Sequence, residues 1–213
     1  GLGKSLEKLS TGIRINRASD DAAGLSVSEQ LRSQVRGLGR AKSNAQDGIA
    51  LLQVAEGAAN EVSSVLQRMR ELAVQSSNDT LTSTDRSYLQ QEFVALKDEV
   101  ERVTNSTQYN GQTLITGDST SFGGASSASS VLHIGANAVT GTDTITIAID
   151  SITAGAIGVS ASGVAISNQS SALSAIDTID TAITSVNNMR SDVGAYVNRL
   201  DHAINNISNQ EFN

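Results

Sequence analysis

The sequence predicts a mainly α fold, an elongated antiparallel bundle of long coiled-coil-like helices carrying a small β-hairpin-containing insert. Three observations predict it. Apolar residues recur at alternating spacings of three and four through the first half of the chain and again in its last fifth, the 3.5-residue period at which helices bury a continuous seam against one another. The serine- and glycine-rich stretch between them lacks that rhythm. The 213 residues include no proline and only 3% aromatics, a composition that suits thin bundles of small aliphatic side chains better than a compact sphere.

The elements follow in order. Gly1 to Leu9 is already amphipathic, with Leu2, Leu6 and Leu9 on one side. Asp20-Asp21 ahead of Ala22-Ala23 offers an N-cap and negative charge where a helix start favours both, so a long helix is expected over 21–77. Its seam reads Leu31, Val35, Leu38, Lys42, Ala45, Ile49 and Leu52, then Ala55, Ala59, Val62, Leu66, Met69 and Ala73. The two successive threes from Ile49 to Ala55 amount to a stammer, expected to overwind the coil locally or to rotate the seam to a new partner, with Gly48 and Gly57 close to the shift. After a turn over Ser76 to Thr84, Thr82 with Asp85 reads as a capping box for a second helix, 85–107, with Leu89, Phe93, Leu96, Val100 and Val103 as its seam.

Gly111 and Gly117 bracket a short segment read as a turn followed by a strand. Val131 to Ile134 and Thr144 to Ile149 read as strands paired across Gly135 to Thr142. Ser119 to Ser130 and Ser151 to Ser171 hold too few large apolar residues to build a core and are expected as surface excursions. The last helix, from Ser170 to Ser208, carries the longest unbroken seam: Ile176, Ile179, Ile183, Val186, Arg190, Val193, Val197, Leu200, Ile204 and Ile207. The chain thus divides into 1–117, the N-terminal half of the bundle with a linker segment at 9–24; 118–169, a short variable insert; and 170–213, the C-terminal helix. Its two ends are expected to pair with each other.

Several function classes drop out. A net charge of -7, with Arg14, Arg17, Arg32, Arg36 and Arg40 interleaved among acids and amides, does not make the basic stripe that nucleic acid needs. No apolar run approaches the roughly 20 residues of a bilayer span. The chain has no cysteine, and its two histidines, His133 and His202, belong to no zinc motif. Gly3-Lys4-Ser5 lacks the earlier glycine and strand of a phosphate-binding loop. Asp20-Asp21 and Asp98-Glu99 are adjacent carboxylates that diverge by about 100° on a helix and form no acid/base dyad. The Asn-x-Ser/Thr triplets at Asn78, Asn105, Asn168 and Asn206 are weak acceptor signals, several lying where packed helix is expected. No catalytic residue, metal or cofactor is expected, and the chain is not read as an enzyme.

Particular stretches carry a resemblance. Leu9 to Leu25, with Arg17-Ala18-Ser19-Asp20-Asp21-Ala22-Ala23-Gly24, resembles the early segment of bacterial flagellin. Asn44-Ala45-Gln46-Asp47-Gly48-Ile49, Leu66 to Asn78, Tyr109-Asn110-Gly111, Met189-Arg190-Ser191 and Asn198-Arg199-Leu200 continue it over about Leu6 to Gly117 and Ala172 to Asn209. The resemblance implies a structural subunit that self-assembles with other flagellin copies into the filament of the bacterial flagellum. It implies an extracellular location reached without a cleavable signal peptide. Most of the terminal inner-tube helices are expected to be missing, because the chain begins and ends in mid-pattern. Gly12 to Gly24 would link inner tube to bundle, its glycines and the Asp20-Asp21 cap allowing adjustment.

The resemblance further implies a vertebrate partner, Toll-like receptor 5. The matching contact positions are Arg68, Leu72 and Glu92, with Gln67, Arg70, Leu89 and Gln75 nearby. Leu66, Met69 and Ala73 fall on the seam, so Arg68 and Leu72 are expected together on an adjacent face. The alternative is a hook-filament junction protein of the same helical family, which would usually depart from the Leu66 to Asn78 block. A metallopeptidase insert, which some flagellins carry, is argued against by the missing zinc motif and the small middle region.

Overall fold

The computed structural model describes residues 9–12, 15, 19, 21–117, 122, 130–160 and 164–212. Three helices, α1 (Ala22–Ser76), α2 (Ser83–Ser106) and α3 (Gln169–Phe212), carry two small antiparallel sheets. These are β1 (Gln108–Tyr109) with β2 (Gln112–Thr113), and β3 (Ser130–His133) with β4 (Thr144–Ile147). Among the described residues no helix is long and apolar enough to cross a membrane.

The 55 residues of α1 span roughly 80 Å at the helical rise. Asp21 starts the helix: its backbone is extended and its carboxylate accepts from the Gly24 N–H at 2.9 Å. A side chain at Gly24 would run into that carboxylate, which explains the glycine. Asp20, the other half of the expected cap, lies outside the described residues, as do Gly1 to Lys8 and parts of the 9–24 linker.

Helix α3 runs antiparallel along α1. Arg70 meets Asp180, Gly48 lies by Leu200, and Gly39 lies by Glu211. The chain ends therefore pair as their common rhythm predicts. At this register Glu211, next to the end of α3, lies by Gly39, and Val27, Leu31 and Val35, nearer the start of α1, are 56%, 55% and 42% exposed. Leu31 and Val35 are thus not part of the packed seam.

The buried stripe of α1 reads Leu38, Ala41, Ala45, Gly48, Leu52, Ala55, Ala59, Val62, Leu66, Met69, Ala73 and Ser76, an unbroken alternation of threes and fours. No stammer exists in the packing. The expected shift at Ile49 arose from following the large side chains Lys42 and Ile49, which are only half-buried, where the helix buries their small neighbours Ala41 and Gly48. The cause is the β3–β4 hairpin: Leu132 fills the notch at Gly48, and Ala136 packs 3.1 Å from where a Gly37 Cβ would stand. Asn44 Nδ2 donates to the His133 carbonyl at 3.0 Å and pins the same edge.

The same sidedness corrects α3. Its buried stripe is Ala172, Ala175, Ile179, Ala182, Val186, Met189, Val193, Leu200 and Ile207. The expected seam members Ile176, Ile183, Arg190, Val197 and Ile204 are half-buried. Tyr196, whose hydroxyl accepts from the Ala148 N–H at 3.4 Å, marks the side on which the insert lies. Ala175, Ala182 and Met189 share that side at seven-residue spacing, and Ile176, Ile183, Val197 and Ile204 pack against the core from its border. The helix continues to Phe212, past Ser208.

Helix α2 reverses along α1 and buries Phe93, Val100, Val103 and Thr104. Its start is a complete capping box: Thr82 Oγ1 accepts from the Asp85 N–H at 3.2 Å and Asp85 Oδ2 accepts from the Thr82 N–H at 3.0 Å. Arg86 reaches back to donate to the carbonyls of Ser76 and Asn78, each at 2.9 Å, supplying cationic donors to the end of α1. Asn110 and Gly111 both have positive φ, 51° and 78°, the two-residue turn that an Asn-Gly pair makes between β1 and β2. The strand expected after Gly111 is only Gln112–Thr113, and Leu114 and Ile115 go into the core instead.

Strand β4 alternates as its sequence suggests, Ile145 and Ile147 inward, in register with Leu132 and Ser130. The described residues of 151–171 are not a solvated excursion. Ile152, Ala154, Ile157, Val159 and Ile166 are buried and extend the core beneath both long helices. Ile166 is anchored at both backbone groups: its N–H donates to Gln90 Oε1 at 2.6 Å and its carbonyl accepts from the buried Ser76 hydroxyl. Only five spaced aliphatics do this work, below the density that marks a core segment in sequence. Most of Ser119 to Ser130 lies outside the described residues.

Candidate functional site

The residues between Leu66 and Asn78 form the exposed ridge of α1 between its two neighbouring helices. Helical spacing puts the apolar Leu66, Met69, Leu72 and Ala73 inside together with the hydrogen-bonded Ser76, which leaves Gln67, Arg68, Arg70, Glu71, Val74 and Gln75 on the surface. Each arginine leans to a different side. Arg68 turns toward α2, where its Nε and Nη2 donate to Glu92 Oε1 at 3.0 and 2.8 Å while Nη1 donates to Glu71 Oε2 at 2.9 Å. Arg70 turns toward α3 and forks onto Asp180 at 2.6 and 3.2 Å.

Hydrogen bonding to Glu92 first and Glu71 second pushes the Arg68 guanidinium up from its ordinary range. Hydrogen bonding to Arg70 holds the Asp180 carboxyl below the usual carboxylate value. All these partners are between 45% and 69% exposed, so the pairs add little to stability. Their effect is positional: two long, flexible cations are held in defined orientations along the ridge. The surface is chemically a recognition surface, with forked donors, carboxylates and amides over a small apolar patch at Val74, which is 47% exposed.

Of the residues expected here, Arg68 and Glu92 come together across two helices, Gln67, Arg70 and Gln75 join them on the ridge, and Leu89 stands half-buried at its edge. Leu72 differs. Expected beside Arg68 on a face adjacent to the seam, it lies deeper than a flank position: it is 1% exposed and part of the core. The second buried row of α1, Leu51, Val65 and Leu72, lies on the α2 side of the seam, and a single-seam reading misses it. Three ridge members were not expected. Glu71 is legible as an i+3 partner of Arg68. Val74 gives only the weak signal of an apolar residue off the seam, and Asp180, 110 residues from Arg70, gives none.

Among the described residues no group of three or more metal-ligating side chains stands close enough to hold an ion. The pattern of the bacterial flagellin N-terminal helical region matches residues 1–120, and that of the C-terminal helical region matches residues 176–213. The flagellin of Halalkalibacterium halodurans is 45% identical over 212 residues, covering 99% of this chain and 73% of that protein. The crystal structure of Bacillus cereus flagellin superposes with a TM-score of 0.65 at 30% identity, covering 78% of this chain and 88% of that one. A Vibrio parahaemolyticus structure described as a flagellar hook-associated protein superposes with a TM-score of 0.73 at 21% identity, a likeness of fold alone, over 92% of this chain and 96% of that one.

Proposed function

The chain belongs to the bacterial flagellin family, structural and non-enzymatic subunits that self-assemble into the flagellar filament, and from that premise we propose that the ridge around Arg68 and Glu92 is a docking surface for Toll-like receptor 5 of a vertebrate host. One observation carries the reading. Residues 24 apart on two different helices are locked by a forked hydrogen bond into one presented surface, with Gln67, Arg70 and Gln75 beside it. Arginine in a fixed fork on a rigid element loses little freedom on binding, which suits it to an interface centre. Leu72 supports this surface from below. As part of the same reading, the subunit works outside the cell in the filament.

The test is affinity for the purified receptor ectodomain. Arg68→Ala and Glu92→Ala each weaken binding about tenfold or more, the effect of losing ~1.4 kcal/mol at a contact. Arg102→Ala, which removes an exposed pair with Glu99 on the far part of α2, leaves affinity unchanged. Parent-like binding by both ridge variants would refute the assignment. The hook-filament junction alternative is disfavoured by the intact Leu66 to Asn78 block and by the 45% identity to a flagellin over nearly the whole chain.

A further inference from the structure

Tyr88 is an aromatic residue that the fold does not use. Of the three tyrosines in the chain, Tyr109 and Tyr196 are half-buried against the core, the second with its hydroxyl accepting from the Ala148 N–H. Tyr88, on α2, is 65% exposed. Among the described residues its hydroxyl has no hydrogen-bond partner and its ring meets no cation. Helix α2 packs through Leu89, Phe93, Leu96 and Val100, a stripe that leaves Tyr88 in solvent. A tyrosine at a solvated helix position gains nothing in propensity over a straight-chain polar residue, so neither packing nor helix formation accounts for it.

Two neighbours on α2 indicate what covers it. Glu92, which holds Arg68, follows one helical turn later on the same face, roughly 6 Å along the axis. Arg86, just before Tyr88, ties α2 to the end of α1 through the Ser76 carbonyl. Tyr88 thus stands between two points at which α2 is fastened to α1, and its backbone is fixed relative to the ridge. Arg68 is already matched by Glu71 and Glu92, so the charges of the ridge orient a partner while apolar area has to hold it. Of the exposed aromatics among the described residues, Tyr88 and Phe212, only Tyr88 adjoins that pair. A tyrosine on a rigid helix buries a large ring at the cost of two side-chain torsions and leaves its hydroxyl for a wet rim. We propose that Tyr88 is a contact residue for Toll-like receptor 5, its ring seated in an apolar hollow of the receptor beside the part that meets Arg68 and Glu92. The inference rests on the receptor reading of the ridge and extends that surface one turn along α2.

The experiment measures affinity for the purified receptor ectodomain together with the melting midpoint of each variant. Tyr88→Ala binds about tenfold more weakly and melts with the parent, because its side chain is in water before binding. Tyr88→Phe keeps the ring and stays within about twofold of parental affinity. Parent-like binding by Tyr88→Ala, or a Tyr88→Phe variant as weak as Tyr88→Ala, overturns the inference; if Arg68→Ala and Glu92→Ala still bind weakly, the receptor reading stands without it. Weak binding by Tyr88→Ala that comes with a lowered midpoint also overturns it, since the ring then packs on its own chain. Parent-like binding by both Arg68→Ala and Glu92→Ala removes the receptor reading and this inference with it.

Discussion

Leu72→Ala separates packing from recognition on the α1 ridge. Leu72 is 1% exposed and belongs to the main core cluster with the fully buried Met69 and Ala73. Truncating a buried leucine removes its transfer free energy and leaves a cavity that long helices, pinned along their length, close only in part. The cost is about 3 kcal/mol within the range of about 2–5 kcal/mol for such sites. For a chain of this size each kcal/mol moves the melting midpoint by about 2–4 °C, so the variant melts about 6–12 °C lower. In urea the midpoint falls while the slope stays constant, because the same surface is exposed on unfolding. Arg68→Ala, four residues earlier but solvent-facing, leaves both transitions close to the parent. Circular dichroism melts of the two variants decide the matter. A loss below about 1 kcal/mol at Leu72 would show that its side chain is not enclosed, and any receptor defect of that variant would then report direct contact.

Two further outcomes follow from the helix ends and the hairpin notch. Gly48→Ala gains about 1 kcal/mol of helix propensity yet pushes Leu132 out of its notch, so the net effect is a loss of about 1 kcal/mol; a raised melting midpoint would mean that the hairpin does not pack there. Hydrogen bonding from the Thr82 hydroxyl first, then its backbone N–H, holds the Asp85 carboxyl below its ordinary value. A depressed carboxylate contributes stability that is fully present above its unfolded pKa and disappears as pH falls through the folded one. Melts taken from neutral pH into the acid range therefore show a smaller acid-induced drop in Asp85→Asn than in the parent, and an unchanged drop would rule out the capping role.

The helices were legible because their signals are local. Asp21 and Thr82 with Asp85 sit where a first turn needs acceptors, and Asn110-Gly111 supplies the positive φ of a two-residue turn. The repeating spacing of aliphatics marks which long stretches pack, and the shared period of α1 and α3 marks them as partners. The recognition ridge was legible in part: Arg68 and Glu92 could be named, while Asp180 could not, since nothing in sequence links it to Arg70 across 110 residues.

By itself the sequence determined the class of fold, the helix limits to within a few residues and the antiparallel pairing of the two ends, since backbone capping and side-chain period depend on neighbours a few residues away. Tertiary structure alone decided which flank of each helix is buried. A seam of threes and fours is equally consistent with a neighbour on either side, and large aliphatics such as Ile49 and Ile183 draw the eye to the wrong one. The insert resolves it by packing Leu132, Ile152 and Ile166 onto the small-residue flank. That choice erases the stammer and leaves Ile176, Ile183, Val197 and Ile204 half-buried at the border of the core rather than at its centre.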